Sequence, residues 1–394
     1  MKRDEIEAVP PERAFARREY DGRLARTRAA IRDVGIDVLL LHSLPDICWL
    51  TGYQTPLSDW YSCAIVPLQG EVALQVCDHE LAAMHTYVDT FLPVSWEDMD
   101  AAVMQLVSQL RAIGATAACI GVQARRPGLL PFHERGLRDA LPAARLVDIG
   151  NLVLRLRAVK SDAEIACLRE AARLSTLGIR AALACVRDGA TENDITAAAM
   201  HEIVANGGEY FSIDPIVRSG PRSGVTHATA KRRVVRAGDP ILMEIGAVYQ
   251  RYCAPLLRTA VIGKPSSRLR HLADVSLAAM DLLFANLRAG RTAGDVASAA
   301  MKALAGLDQE VRMRGYFGYA VGVGFPPSWV ERSIEITEGR DDVLEVGMTF
   351  HLHRVLRIPG VLGVGFSETA AVTANGYELL TQHPRELVVI GDGD

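Results

Sequence analysis

A glutamate stands alone in the apolar run ILMEIGAVYQ (241–250), where an ionised carboxylate is costly to bury without a partner. Two readings are open for Glu244: a functional carboxyl whose pKa is raised, or half of a structural ion pair with Arg258 or another arginine. His227 sits in the Gly/Ser/Thr-rich stretch SGPRSGVTHATAKRRVVRAGD (219–239). An imidazole there suits proton transfer near neutral pH, the alternative being an exposed loop histidine. Glu368, in GFSETAAVTANGYELLT (365–381), is a second acidic candidate. In YFGYAVGVGFPPSWVER (316–332), Tyr319 and Trp329 offer an aromatic wall or an aromatic core, and Arg332 offers a fixed cation. Aromatic faces suit a delocalised cation such as an amidinium, and the glycines of 318–324 suit close approach of backbone to a ligand. In LEVGMTFHLHRVLRI (344–358), His351 and His353 fall on one strand face, as half of a metal site or as direct partners of a substrate.

These residues need a scaffold. Tyr20 to Arg32 has helical spacing and ends before Gly35. IDVLLLH (36–42) reads as a buried strand, and AIVPL–QG–EVALQV (64–76) as a hairpin turning at Gln69-Gly70. An amphipathic segment near 99–113, a strand CIGV (119–122) and a further helix–strand pair complete an alternating pattern, which predicts an α/β domain over 19–154 after an extension at 1–18. Ser161-Asp-Ala-Glu164 is a capping box opening a helix with Ile165, Leu168, Ala172 and Ile179 on one side. VRDGATENDITAAAM (186–200) parallels LRAGRTAGDVASAAM (287–301), an internal repeat in the region 155–394. Asn375-Gly376 is a type I′ turn signal.

The repeat, LRLRAVKSDAEIACLREAA (154–172), WLTGY (49–53), the Arg258-Thr259 pair and VTANGYELLT (372–381) together resemble the creatinase/prolidase/methionine-aminopeptidase (pita-bread) superfamily over about residues 20–390. The resemblance implies an α/β N-terminal domain plus an α+β pita-bread C-terminal domain with an internal pseudo-two-fold repeat, the active site lying between its halves. In the metal-dependent members an Asp stands at Glu244, an Asp at Pro255, a His at Tyr319, a Glu at His353 and a Glu at Glu368. Proline cannot coordinate a cation and neutral tyrosine is a poor ligand, so the expectation is no metal and no cofactor. A catalytic or substrate-binding histidine of the family stands at His227. In creatinase, which works without metal, a glutamate at the position of Glu368 binds substrate. GMTFHL (347–352) and FPPSWVER (325–332) are similar to the ectoine-hydrolase branch, which opens a cyclic amidine to an N-acetyl diamino acid; HRVLRIPGVLG (353–363) departs from that branch. Creatinase's glutamate before the Arg-Thr pair is Leu257 here.

The resulting expectation is a metal-independent hydrolase of a C–N bond in a small amidine-like substrate. Its catalytic residues would be His227, Glu244 and Glu368. Substrate would be bound by Tyr319, His353, Tyr252, Trp329 and Arg332, with Tyr53 and Trp60 reaching the partner's pocket in a homodimer. The alternatives are an Xaa-Pro dipeptidase-like metallopeptidase and a non-catalytic binding protein. A net charge of −4 gives no nucleic-acid footprint, and no apolar run is long enough to span a bilayer. The charged start MKRDEIEAVPPERAFARREY has no apolar leader, and seven scattered cysteines without a CxxC fit reduced thiols in a cytoplasm.

Overall fold

A computed structural model describes residues 13–391 apart from 81–85, 89, 96–97, 125–127 and 314. Contacts divide the chain into two units, Met1–Arg157 and Ala158–Asp394. The extension expected at 1–18 lies mostly outside the described residues; Arg17 already opens the first helix, Arg17–Asp33.

In the first unit, β1 (Val38–Leu41), β2 (Cys63–Pro67), β3 (Ala73–Cys77), β4 (Thr90–Val94), β5 (Cys119–Val122) and β6 (Arg145–Asp148) form one mixed sheet in the order β4-β3-β2-β1-β5-β6. The hairpin expected from Gln69-Gly70 forms, with Ala64 opposite Leu74 and Gly70 at φ +92°. All four residues of β1 are buried, which is why its sequence shows a continuous apolar run and no alternation.

The second unit carries β7 (Ile216–Ser219), β8 (Pro240–Tyr249), β9 (Tyr252–Ile262), β10 (Tyr316–Phe325), β11 (Ser328–Thr337), β12 (Thr349–Ile358), β13 (Leu362–Thr373), β14 (Gly376–Leu379) and β15 (Val388–Ile390). Their sheet runs β14-β13-β12-β10-β9-β8-β7, with β11 on β10 and β15 on β9. Helix Asp162–Cys185 starts at the capping box, with Glu164 N–H donating to Ser161 Oγ at 3.3 Å and Ser161 N–H to Glu164 Oε2 at 3.0 Å. Its residues Ile165, Leu168, Ala172 and Ile179 are buried, as their spacing requires.

The repeat is structural as well as sequential. Thr191 caps helix Glu192–Ala205 with Asp194, and Thr292 caps helix Ala293–Met301 with Asp295. Gly189 N–H donates to Val235 O, and Glu192 N–H to Arg233 O. In the second copy Gly290 N–H donates to Leu344 O, and Ala293 N–H to Asp342 O. Thr191 bridges Val234, and Thr292 bridges Val343. Each half therefore folds its helix start onto the strand-side segment of its own half in the same way, which gives the pseudo-two-fold repeat of a pita-bread domain.

Two turns depart from ordinary chemistry. Thr373 pairs with Gly376, so Ala374 and Asn375 form the tip of that hairpin, and neither has a positive φ. The Asn-Gly pair is thus displaced by one residue from the expected type I′ positions. Tyr249 pairs with Tyr252, which makes Gln250 (φ 50°) and Arg251 (φ 65°) the tip of the β8–β9 hairpin. Two consecutive non-glycine residues in the left-handed region need outside support. Glu209 supplies it by accepting from both backbone N–H groups, at 2.6 and 3.1 Å. The buried Arg251 guanidinium donates to Tyr210 O (2.9 Å), Ser212 Oγ (3.1 Å) and Gly324 O (2.8 Å).

Candidate active site

Four of the residues singled out by sequence share one cleft, open to solvent. His227 arrives from the loop after β7, Glu244 from β8, Tyr319 from β10 and His353 from β12. Thr226, Tyr316, Arg354, Val355 and Arg357 complete the lining.

Glu244 shares a sheet face with Arg218, whose strand partner is Leu242. Burial holds the Glu244 carboxyl above the ordinary carboxylate range, against the opposing pull of Arg218 and Arg357. Arg218 is itself buried and donates to Val225 O at 2.7 Å; its Nε and Nη2 have no hydrogen-bond partner among the described residues. Arg354 is pushed down to about 10 by burial and then by the charge of Arg357. It donates to Tyr316 O at 2.6 Å and lies over the Phe317 ring at 3.9 Å. Of the arginines left open as partners of Glu244, Arg258 pairs with Glu368 instead, and Arg218 and Arg357 are the ones whose charge acts on Glu244.

His227 is exposed and has φ 55°, a left-handed conformation that histidine tolerates better than most residues. Its loop is tied at both ends to the buried Glu192. That carboxylate accepts from Ser219 N–H (2.8 Å), Ser219 Oγ (3.0 Å), Arg222 Nε (3.2 Å) and Lys231 N–H (3.0 Å). The matching residue of the second repeat is Ala293, so this anchor belongs to one half only. Glu192→Ala is expected to cost about 2–3 kcal/mol, because charge-assisted bonds are lost and buried donors orphaned. Limited proteolysis should then cut between 225 and 231 faster than in the parent. An unchanged cleavage pattern would remove the anchoring role.

The remaining expectations meet prior commitments. Glu368 does not line the cleft: its Oε1 accepts from Arg258 Nη2 at 2.6 Å and its Oε2 from Thr381 Oγ1 at 2.5 Å. Tyr252 is buried, donates its hydroxyl to Glu164 Oε1 at 2.8 Å at the helix start, and is not part of the cleft lining. Trp329 is buried behind Tyr319, donating Nε1–H to the Tyr319 hydroxyl at 2.8 Å. Gly246 makes room for it, since a Cβ there would meet the Trp329 ring at 2.8 Å. Arg332 points out of β11 into solvent and is not part of the lining. Tyr53 is 1% exposed, with its hydroxyl donating to Glu80 at 3.2 Å; it is a core residue of its own unit. Trp60 is half-buried in that unit. The glycines of 318–324 are filled by protein: a Cβ would meet His351 O at Gly318, Glu331 Oε2 at Gly322 and Cys253 Sγ at Gly324.

Sequence reasoning missed Arg354, Arg357 and Tyr316. The signal for Arg357 was present, because His353, Val355 and Arg357 alternate on one face of a strand. His351 shares that alternation but lies deeper, between Tyr319 Oη (2.9 Å from Nδ1) and Ser367 Oγ (2.7 Å from Nε2). Burial lowers its pKa to about 3, so it is neutral.

These donors do not suit the pair of metal ions that the fold family implies. Pro255 offers no ligand atom from its side chain, and both Glu368 oxygens already accept hydrogen bonds, from Arg258 and Thr381. Among the described residues no group of three or more His, Cys, Asp or Glu is placed to hold a metal ion. No helix among them is long and apolar enough to cross a membrane.

Comparison with known proteins places this geometry in a family. Residues 23–159 match the creatinase/prolidase N-terminal domain, and residues 166–374 match metallopeptidase family M24. An uncharacterised hydrolase/peptidase of Sinorhizobium fredii is 30% identical over 395 residues, covering 95% of this chain and 98% of that protein. Ectoine hydrolase of Halomonas elongata is 27% identical over 403 residues, covering 95% of this chain and 98% of the relative. The X-Pro aminopeptidase structure from Thermotoga maritima superposes with a TM-score of 0.82 at 23% identity, covering 93% of this chain and 99% of the other. With both domain matches in sequence order and the same fold, the chain belongs to metallopeptidase family M24 and is a hydrolase of the creatinase/prolidase pita-bread superfamily.

Proposed function

We propose that the protein hydrolyses a C–N bond other than a peptide bond in a small amidine-like substrate, without a metal ion, as an ectoine-hydrolase-like enzyme. One observation carries this reading. The cleft joins a half-buried carboxyl, an exposed histidine and aromatic side chains, while the resemblance puts Pro255, Tyr319 and the arginine-bound Glu368 where the metal-dependent members have ligands. An amidinium placed against Glu244 and the Tyr316 and Tyr319 rings gains charge pairing and aromatic contact. A water then attacks the amidine carbon and gives its proton to His227. The arginines at 354 and 357 suit a carboxylate elsewhere on the substrate. The reading includes a homodimer in the cytoplasm; seven free cysteines support a reducing compartment.

The test is proton NMR of the purified protein with ectoine, with and without EDTA. Conversion to an N-acetyl diaminobutyrate at the same rate in both is expected. Conversion that chelator abolishes would overturn metal independence. Cleavage of an Xaa-Pro dipeptide in place of ectoine would favour the dipeptidase reading, the activity named for a Pyrococcus horikoshii relative that is 27% identical over 357 residues.

A further inference from the structure

The backbone on both sides of His227 is gripped by guanidinium groups. Arg218, on β7, donates Nη1–H to Val225 O at 2.7 Å. Arg222, in the short 3-10 turn Gly220–Gly224, donates Nη2–H to Thr229 O, while its Nε–H reaches the Glu192 oxygens at 3.2 and 3.3 Å. The two carbonyls stand two residues before and two residues after the histidine. Further on, Arg232 N–H donates to Asn193 Oδ1 at 2.7 Å. His227 and Arg232 both hold a left-handed φ, 55° and 60°, a conformation that persists in non-glycine residues where the surroundings over-determine it. The internal repeat shows that the fold does not require these grips. Thr191-Glu192-Asn193-Asp194 of the first copy is Thr292-Ala293-Gly294-Asp295 in the second. There the chain closes backbone against backbone, and a Cβ at Gly294 would meet Arg340 O at 2.7 Å. Both helices start in the same way, so the gripping side chains are additions of the half that carries the histidine.

Arg218 has a second neighbour. It stands opposite Leu242, and Glu244 stands opposite Ile216, so the two are diagonal neighbours on one face of the β7–β8 pair, within reach of long side chains. Burial pushes the Arg218 guanidinium down from its ordinary value, and the charge of Glu244 pulls it back up. All four residues of β7 are buried, and Arg218 leaves Nε and Nη2 without a hydrogen-bond partner among the described residues. A full set of hydrogen bonds is therefore not what an arginine gains there; the grip on Val225 and the charge beside Glu244 are. We propose that Arg218 is a positioning residue of the reaction, which sets the His227 loop and the Glu244 carboxyl relative to each other, with Arg222 as its counterpart on the far side of His227. This rests on the C–N hydrolase reading above, in which His227 takes the proton of the attacking water and Glu244 holds the amidinium. A base misplaced by about 1 Å costs about 10²-fold in rate, and the two grips on either side of His227 prevent that displacement.

Two measurements test this, one of which needs no substrate. Amide hydrogen exchange of the free protein should show residues 225–231 opening about 10-fold faster in Arg218→Met and in Arg222→Met, with β8 and β9 as protected as in the parent. Arg218→Lys, which keeps a donor and the charge, should recover part of the protection. Arg222 is partly exposed, so its variant and Arg218→Lys decide the grip even where Arg218→Met does not fold. Parent-like exchange of 225–231 in the variants would overturn the grip, whatever the substrate. With ectoine as the probe, Arg222→Met should lower kcat about 10²-fold with KM nearly unchanged, whereas Arg218→Met should lower kcat and raise KM together. Added to His227→Asn, neither should lower kcat further, because residues that act as a unit are not additive. An unchanged kcat in the single variants, or a full further loss on top of His227→Asn, would overturn the positioning role. A parent protein inert to ectoine would count against the functional reading alone, and the exchange of 225–231 would still decide the grip.

Discussion

Replacing Arg258 with methionine is expected to cost the protein about 3–5 kcal/mol, the largest stability effect of any single change proposed for this chain. Arg258 is fully buried on β9 and donates to Ser367 O (2.7 Å), Pro384 O (2.8 Å), His383 O (2.6 Å) and Glu368 Oε1 (2.6 Å). It fastens β13 and the segment beyond β14 to the middle of the sheet. Its removal strands a buried carboxylate and several carbonyls together, and the methionine supplies volume without charge. Urea unfolding should show the midpoint falling with the slope unchanged. The double variant Arg258→Met, Glu368→Leu should recover part of the loss, since it removes the stranded charge. A single variant within about 1 kcal/mol of the parent would mean that the pair is not what holds these strands.

The second large effect concerns chemistry. His227→Asn should lower kcat about 10²–10⁴-fold while substrate still binds, because the change deletes the proton acceptor and leaves the carboxylate and aromatic contacts in place. Asparagine is the substitution of choice. At φ 55° an alanine would add backbone strain of about 1–2 kcal/mol and confuse loss of chemistry with loss of loop shape. Steady-state kinetics with a separate calorimetric measurement of binding would check it. Equal loss of kcat/KM and affinity would make His227 a binding residue, and unchanged kcat would move the base elsewhere.

Much of the scaffold was legible because local rules and global contacts agree in it. The capping residues of 161–164, 191–194 and 292–295 state their helix starts, and the repeat states that two units fold alike. The catalytic candidates were legible where they break a pattern: Glu244 is conspicuous because its strand neighbours are apolar. What was hidden depends on pairing across long sequence distances. Nothing near Glu368 says that Arg258, 110 residues away, will take its charge, or that Tyr252 will turn to Glu164. Arg357 was overlooked because histidines on the same strand drew the chemical reading, although strand alternation placed it with them. Arg332 and Tyr53 show the reverse error, in which a suitable side chain is assigned a role that its strand face or burial denies.

The hairpin tip at Gln250 and Arg251 bears on where the carboxylate of Glu244 points. Side chains alternate along β8, and Met243 and Ile245 on either side of Glu244 are fully buried. A slip of one residue would swing Glu244 into that apolar layer and bring a neighbour to the cleft in its place. Glu209 accepts from both tip amides, and Arg251 is sunk into a socket formed by Tyr210, Ser212 and Gly324, so the tip admits one register only. The aim of Glu244 is therefore set six residues away, at the closed end of the hairpin. That end is closed to loop insertion or tagging, however exposed its two polar residue types make it look in the sequence.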